Sequence, residues 1–151
     1  MLRLLVIFFP FFAQTQGYGT GAPICTLLSQ SRDPLTPGHG YQSANGPAPY
    51  RISLPNCFRA GETVYVTLEG ENGESFKGFG LQANNGRFTD SQGYGWQRNC
   101  GILTHSNNSP KYHVTARFTA PQYGTVRFTA TVVQSYSTYW VKAVTNQFSL
   151  C

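Results

Sequence analysis

The stretch Tyr112-His113-Val114-Thr115-Ala116-Arg117-Phe118-Thr119-Ala120-Pro121-Gln122-Tyr123-Gly124-Thr125-Val126-Arg127-Phe128-Thr129-Ala130-Thr131-Val132 alternates apolar and polar side chains twice, with one interruption. Tyr112, Val114, Ala116 and Phe118 alternate in the first segment, and Val126, Phe128, Ala130 and Val132 in the second. A period of two is that of a strand with one buried face, because successive Cβ atoms point to opposite sides. Ala120 to Gly124 supplies turn residues between the two.

The same pattern extends upstream. Tyr50 to Leu54 reads as a first strand, and Val64, Val66 and Leu68 alternate with Thr63, Tyr65 and Thr67 within Glu62 to Leu68. Gly70 to Gly73 form a turn, then Phe79, Leu81 and Ala83 alternate up to Asn84-Asn85-Gly86. That Asn-Gly pair is a hairpin signal, with Arg87-Phe88-Thr89 as a short return strand. Residues 90–101 read as irregular and Ile102 to Thr104 as a brief edge segment, while a last strand runs from about Tyr139 to Phe148. Tyr18 to Pro49 is rich in Gly, Pro and Ser without a sustained apolar period, so it reads as an extended leader pinned by Cys25. Short strands separated by turns predict an all-β, immunoglobulin-like sandwich of about seven to nine strands and exclude a helical bundle.

Composition agrees with strands and turns: charged residues are 11% of the chain, while Gly, Pro, Tyr and Phe are abundant. Met1-Leu2-Arg3 followed by the apolar run Leu4 to Ala13 has the layout of a signal peptide. Residues 1–17 are therefore expected to be removed, with cleavage after Gly17, or after Thr15 as the competing choice, leaving 18–151 as one exported domain. A net charge of +5 permits attraction to anionic surfaces, but the basic residues are scattered and nucleic acid is a poor partner.

Gly21-Ala22-Pro23, Cys25, Leu35-x-Pro37-x-His39-Gly40 and Pro49-Tyr50-x-Ile52 occur in order. Ala60-Gly61-Glu62-x-Val64-x-Val66-x-Leu68-x-Gly70, Phe76-Lys77-Gly78-Phe79-x-Leu81-Gln82-Ala83 and Gly86-x-Phe88 follow. Cys100, Thr104-His105-Ser106, Ala120-Pro121, Gly124-x-Val126-x-Phe128-x-Ala130-Thr131 and Tyr139-Trp140 complete the series. In this order and spacing the chain resembles a reeler (reelin-type) domain. Phe118 stands where many relatives carry Trp, and Leu35 where many carry Met; both keep apolar bulk. The resemblance implies an immunoglobulin-like sandwich. For a chain holding this domain alone, it also implies a secreted innate-defence protein that binds lipopolysaccharide, lipoteichoic acid or β-glucan, with possible antibacterial action. The alternative is a matrix or adhesion module binding a protein or sulfated glycan.

Sequence alone leaves three pairings of the four cysteines open. The implied topology brings Cys57 and Cys151 to one pole, and the family's anchoring of the leader pairs Cys25 with Cys100. Lys111, Arg117, Arg127 and Lys142 are candidate outward cations for an anionic ligand, and Tyr136, Tyr139 and Trp140, with Tyr94 and Trp96 nearby, are candidate rings for sugar faces. Asn107-Asn108-Ser109 is a glycosylation sequon, its occupancy lowered by Pro110.

Catalytic and metal readings are weak. His39, His105 and His113 lack the spacing of a shared metal site, and His105-Ser106 lacks a nucleophile elbow. Gly78-Phe79-Gly80-Leu81-Gln82-Ala83 matches a dinucleotide fingerprint in letters only; inside a strand its glycines point to close backbone approach or a bulge. Glu69, Glu71, Asn72 and Glu74 lack the spacing of a calcium loop. No enzyme activity, cofactor or metal is therefore expected, and the expected partners are microbial glycans or glycolipids.

Overall fold

The computed structural model describes residues 18–90 and 95–151, so the expected signal peptide and Tyr94 lie outside the described residues. Among the described residues, nine strands form two sheets. One has four strands in the order β1 (Tyr50–Ser53), β2 (Thr63–Gly70), β7 (His113–Thr119), β4 (Arg87–Phe88). The other has five, in the order β5 (Gln97–Asn99), β6 (Ile102–Thr104), β3 (Gly78–Ala83), β8 (Thr125–Val133), β9 (Tyr139–Ser149). All these neighbours pair antiparallel.

The alternating apolar residues meet between the sheets. Val64, Val66, Leu68, Val114, Ala116 and Phe118 face Phe79, Leu81, Val126, Phe128, Ala130 and Val132, all buried. Phe118 and Phe128 touch edge to face across the core with ring centroids 4.9 Å apart. The two disulfides join Cys57 to Cys151 and Cys25 to Cys100, closing 94- and 75-residue separations. In the chain-entropy account each removes about 4 to 5 kcal/mol of unfolded-state freedom, as an upper bound.

Three local expectations are corrected. First, β3 and β4 do not form a hairpin: β4 pairs with β7 in the opposite sheet. Gly86 has φ 77°, and a Cβ there would stand 2.3 Å from Phe118 Cζ and 2.8 Å from the Thr119 carbonyl oxygen. The glycine thus serves the crossing of the chain onto β7, while Asn84 Oδ1 accepts from the Arg127 amide at 2.7 Å. Asn-Gly encodes a positive φ and says nothing about which strand comes next. Second, residues 90–101 are not wholly irregular, because β5 forms there and becomes the sheet edge in place of β6. Third, the leader is more than an anchored loop. It carries a short helix, α1 (Ile24–Ser29), and Ile24 and Leu35 pack with Ile102 into a second small core on the outer face of the five-stranded sheet. Burial of each of these two side chains is worth about 1.5 to 3 kcal/mol, so the leader is held by apolar contact as well as by sulfur.

Candidate functional site

The leader crosses the five-stranded sheet without closing on it everywhere, and leaves a half-open groove of about 590 Å³. Its floor is β3 and β8. Phe79 and Leu81 point into the core, so Gly78 and Gly80 present bare backbone outward beside Thr131 and Val133. A Cβ at Gly80 would lie 2.8 Å from Leu35 Cδ2, and one at Gly78 would lie 3.1 Å from His105 Cε1. Gly80 therefore lets the leader approach the sheet and Gly78 makes room for the His105 ring, which is the close approach expected of that strand. The opposite wall is leader: Pro23, Leu27, Pro34, Leu35 and Pro37, with Tyr18 and Tyr136 at its ends.

Polar groups in the lining fall into two sets. The first set is already partnered. His105 receives the Phe79 amide on Nδ1 at 3.2 Å and donates from Nε2 to the Tyr18 carbonyl at 2.7 Å. Burial lowers its pKa against the opposing pull of those backbone contacts, so the ring is neutral and fastens Tyr18 to the sheet. Asp33 bonds Lys142 at 2.7 Å, the Leu35 amide at 3.0 Å and the Thr36 hydroxyl at 2.8 Å. Partial burial would raise its pKa, but these donors outweigh it and hold the carboxylate ionised. The second set is exposed Arg32 and Lys77, whose charged ends make no hydrogen bond or ion pair among the described residues. The groove is therefore apolar, with two uncompensated cations in its lining, and suits an amphiphile better than a neutral solute.

The residues expected from sequence to bind ligand are dispersed. Lys111 is not an outward cation: it is buried, and its ammonium donates to the carbonyls of Lys77, Asn107 and Ser109 at 3.0, 2.7 and 2.8 Å and to Asn107 Oδ1 at 3.2 Å. Gly95 makes room for its stem, since a Cβ there would sit 2.6 Å from Lys111 Cε. Burial lowers the Lys111 pKa. Trp140 is not a sugar platform either; it is 8% exposed and packs edge-on to Tyr50 at 5.6 Å, and Trp96 is likewise buried. Tyr139 is 3% exposed, with its hydroxyl donating to the Tyr41 carbonyl. Tyr136 alone of the three is exposed, stacked on His39 at 4.8 Å and touching Tyr41 edge-on at 5.6 Å.

Arg117 and Arg127 are exposed, but on outer faces of different sheets. Arg127 bonds Gln147 at 3.2 Å. Lys142 is exposed at a bulge, where β8 and β9 shift register between Ala130 and Val132, and it is neutralised by Asp33. The cations and rings named from the sequence do not gather into a common site. Arg32, Lys77 and Leu35 were not singled out as ligand contacts from sequence; Gly78 and Gly80 at outward strand positions were the available sign that something covers this sheet.

The reeler domain family model matches residues 32–150. "Putative defense protein 3" of Antheraea mylitta is 34% identical over 93% of this chain and 91% of its own length. Human ferric-chelate reductase 1 is 29% identical over 76% of this chain, but the match spans only 22% of the reductase. Among solved structures, the human F-spondin reeler domain superposes with a TM-score of 0.63 at 19% identity, covering 74% of this chain and 94% of that one. That likeness concerns the fold. Two antiparallel sheets, two disulfides and a family match over most of the chain agree, and the chain belongs to the reeler domain family.

Proposed function

We propose that this chain is a secreted defence protein that acts by binding, without catalysis, anionic amphiphiles of microbial envelopes such as lipopolysaccharide and lipoteichoic acid. The observation that carries this reading is the apolar groove under the leader, with Arg32 and Lys77 in its lining and unpaired among the described residues. Apolar chain in the groove and phosphate against the two cations would use both halves of such a ligand. The defence-protein relative, matched over nearly its whole length, supports the same direction, whereas the reductase match covers too little of that protein to suggest its chemistry. β-Glucan, which carries neither acyl chain nor charge, ranks behind, because two of the three rings expected to receive sugar, Tyr139 and Trp140, are buried.

One feature favours the adhesion alternative. The outer face of the four-stranded sheet presents exposed Arg87 and Arg117, with Tyr65 directly across from Arg117. The test is titration of the immobilised protein with lipopolysaccharide, lipoteichoic acid, β-glucan and a sulfated glycan at low and high salt. Saturable binding of the first two, lost in Arg32→Gln/Lys77→Gln but not in Arg87→Gln/Arg117→Gln, is expected. Binding of the sulfated glycan alone, abolished by the second pair of substitutions, would transfer the function to the other sheet.

A further inference from the structure

The described tyrosines fall into three kinds. Tyr50 and Tyr139 are buried, while Tyr18, Tyr65, Tyr112 and Tyr123 are exposed with no second tyrosine ring against them among the described residues. Tyr41 and Tyr136 differ from both kinds. They are 53% and 40% exposed, and their rings meet edge-on with centroids 5.6 Å apart, although the two residues lie far apart in sequence.

Hydrogen bonds fix the backbone that carries each ring. On the leader side, the Tyr139 hydroxyl donates to the Tyr41 carbonyl, the Ala44 amide donates to the Tyr139 carbonyl at 2.7 Å, and Ser43 Oγ accepts from the Val141 amide at 3.1 Å. These bonds lay residues 41–44 along the start of β9. On the other side, Tyr136 stands in the turn between β8 and β9, where the Gln134 and Ser135 amides both donate to the Thr138 carbonyl at 3.0 Å. His39 stacks on the Tyr136 ring at 4.8 Å, and its Nδ1 donates to the Tyr136 carbonyl at 3.0 Å. The fold thus presents two phenols to each other and both to solvent. Exposed side chains turn between rotamers in picoseconds to nanoseconds, so the pair passes from edge-on to side-by-side far faster than either ring meets another molecule.

We infer that Tyr41 and Tyr136 form an oxidative modification site, at which a haem peroxidase with hydrogen peroxide joins the two rings as a dityrosine. Each phenol gives up one electron and its hydroxyl proton and becomes a neutral phenoxyl radical. The two electrons and two protons reduce one hydrogen peroxide to two waters. Spin density on the carbons ortho to each oxygen lets a Cε of one ring bond to a Cε of the other. The hydrogen on each joined carbon then moves to the phenolic oxygen, which restores both hydroxyls, and the protein has lost two hydrogen atoms in all. The product ties the leader to the β8–β9 turn at the end of the groove where Tyr136 stands, as the Cys25–Cys100 disulfide ties the leader's first turn. This chemistry is independent of what the groove binds.

The test treats the disulfide-bonded protein with a haem peroxidase and one equivalent of hydrogen peroxide. A tethered pair has an effective concentration of about millimolar or more, so at about 1 μM protein coupling within one molecule outruns coupling between two. The expected product is a monomer lighter by two hydrogens, fluorescing as dityrosine, in a yield unchanged on tenfold dilution. Trypsin then releases residues 33–51 linked to residues 128–142. Those peptides also hold Tyr50 and Tyr139, so the variants assign the bond. Tyr41→Phe and Tyr136→Phe, which keep the rings, each lower the monomeric product at least tenfold, whereas Tyr123→Phe, at the most exposed tyrosine among those described, leaves it unchanged. Absence of a cross-linked monomer, dityrosine found only in dimers, or a cross-linked monomer that persists in Tyr136→Phe would each overturn the inference.

Discussion

Replacing Lys111 by methionine keeps the aliphatic stem against Gly95 and deletes only the ammonium, so it isolates the four hydrogen bonds at that atom. Hydrogen bonds to charged groups are worth about 1.5 to 3 kcal/mol each, which would overstate the sum here. All four acceptors belong to exposed Lys77, Asn107 and Ser109, and water can replace part of what the ammonium supplied. Desolvation of the ammonium itself, the cause of its lowered pKa, is also relieved. The net loss is then about 2 to 4 kcal/mol, or roughly 10 °C in Tm for a domain of this size. Paired urea and thermal unfolding of Lys111→Met, with Arg117→Gln as an exposed control, measures it. The control is expected to unfold like the parent. A Lys111→Met variant as stable as the parent, but deficient in envelope binding, would refute the buried bracket and restore Lys111 as an outward contact.

Trp140→Ala is expected to cost about 3 to 5 kcal/mol by opening a cavity beside Tyr50, which chemical denaturation reads; a folded, fully stable variant that loses glucan binding would return the ring to the surface. His105 has a folded pKa below its usual value of about 6.5, so the unfolded chain binds the extra proton first. Its stabilisation is therefore complete above pH about 6.5 and is lost as pH falls from there through the folded pKa. The parent Tm should fall across that window more than that of His105→Gln, and parallel profiles would contradict the neutral bracket to Tyr18 and Phe79. Non-reducing peptide mapping should recover Cys25 linked to Cys100 and Cys57 linked to Cys151; a Cys25–Cys57 peptide would overturn the strand order. Asn107 is exposed, and glycosidase treatment of secreted material should lower the mass of a fraction of molecules, whereas an unchanged mass would show the sequon empty.

The sandwich was legible because its core obeys a period of two: Val114, Ala116, Phe118, Val126, Phe128, Ala130 and Val132 are all buried as their parity requires. Sheet membership was not legible. β7 and β8 are neighbours in sequence yet belong to opposite sheets, since a turn such as Pro121 to Gly124 directs the chain locally without naming its partner. Tyr139 and Trp140 show a different limit. Consecutive strand residues point to opposite faces, and both are buried because the leader covers the outer face that Tyr139 meets while Trp140 enters the core. A sequence reading that treated the leader as a loop had no cover to place there. Lys111 misled for a related reason: a cation in a polar stretch reads as solvated unless the carbonyls that surround it are known. The groove was the least legible feature, being assembled from the leader, β3 and β8, which lie far apart in sequence, and only the paired glycines of β3 hinted at it.

Hydrogen–deuterium exchange of the parent protein with and without lipoteichoic acid tests the central claim most directly, because it reports where a ligand sits without presupposing a residue. The account predicts slowed exchange in residues 32–39, 77–80 and 131–136, with the four-stranded sheet unaffected. Protection confined to β2 and β7 around Tyr65 and Arg117, with the groove exchanging as before, would contradict it.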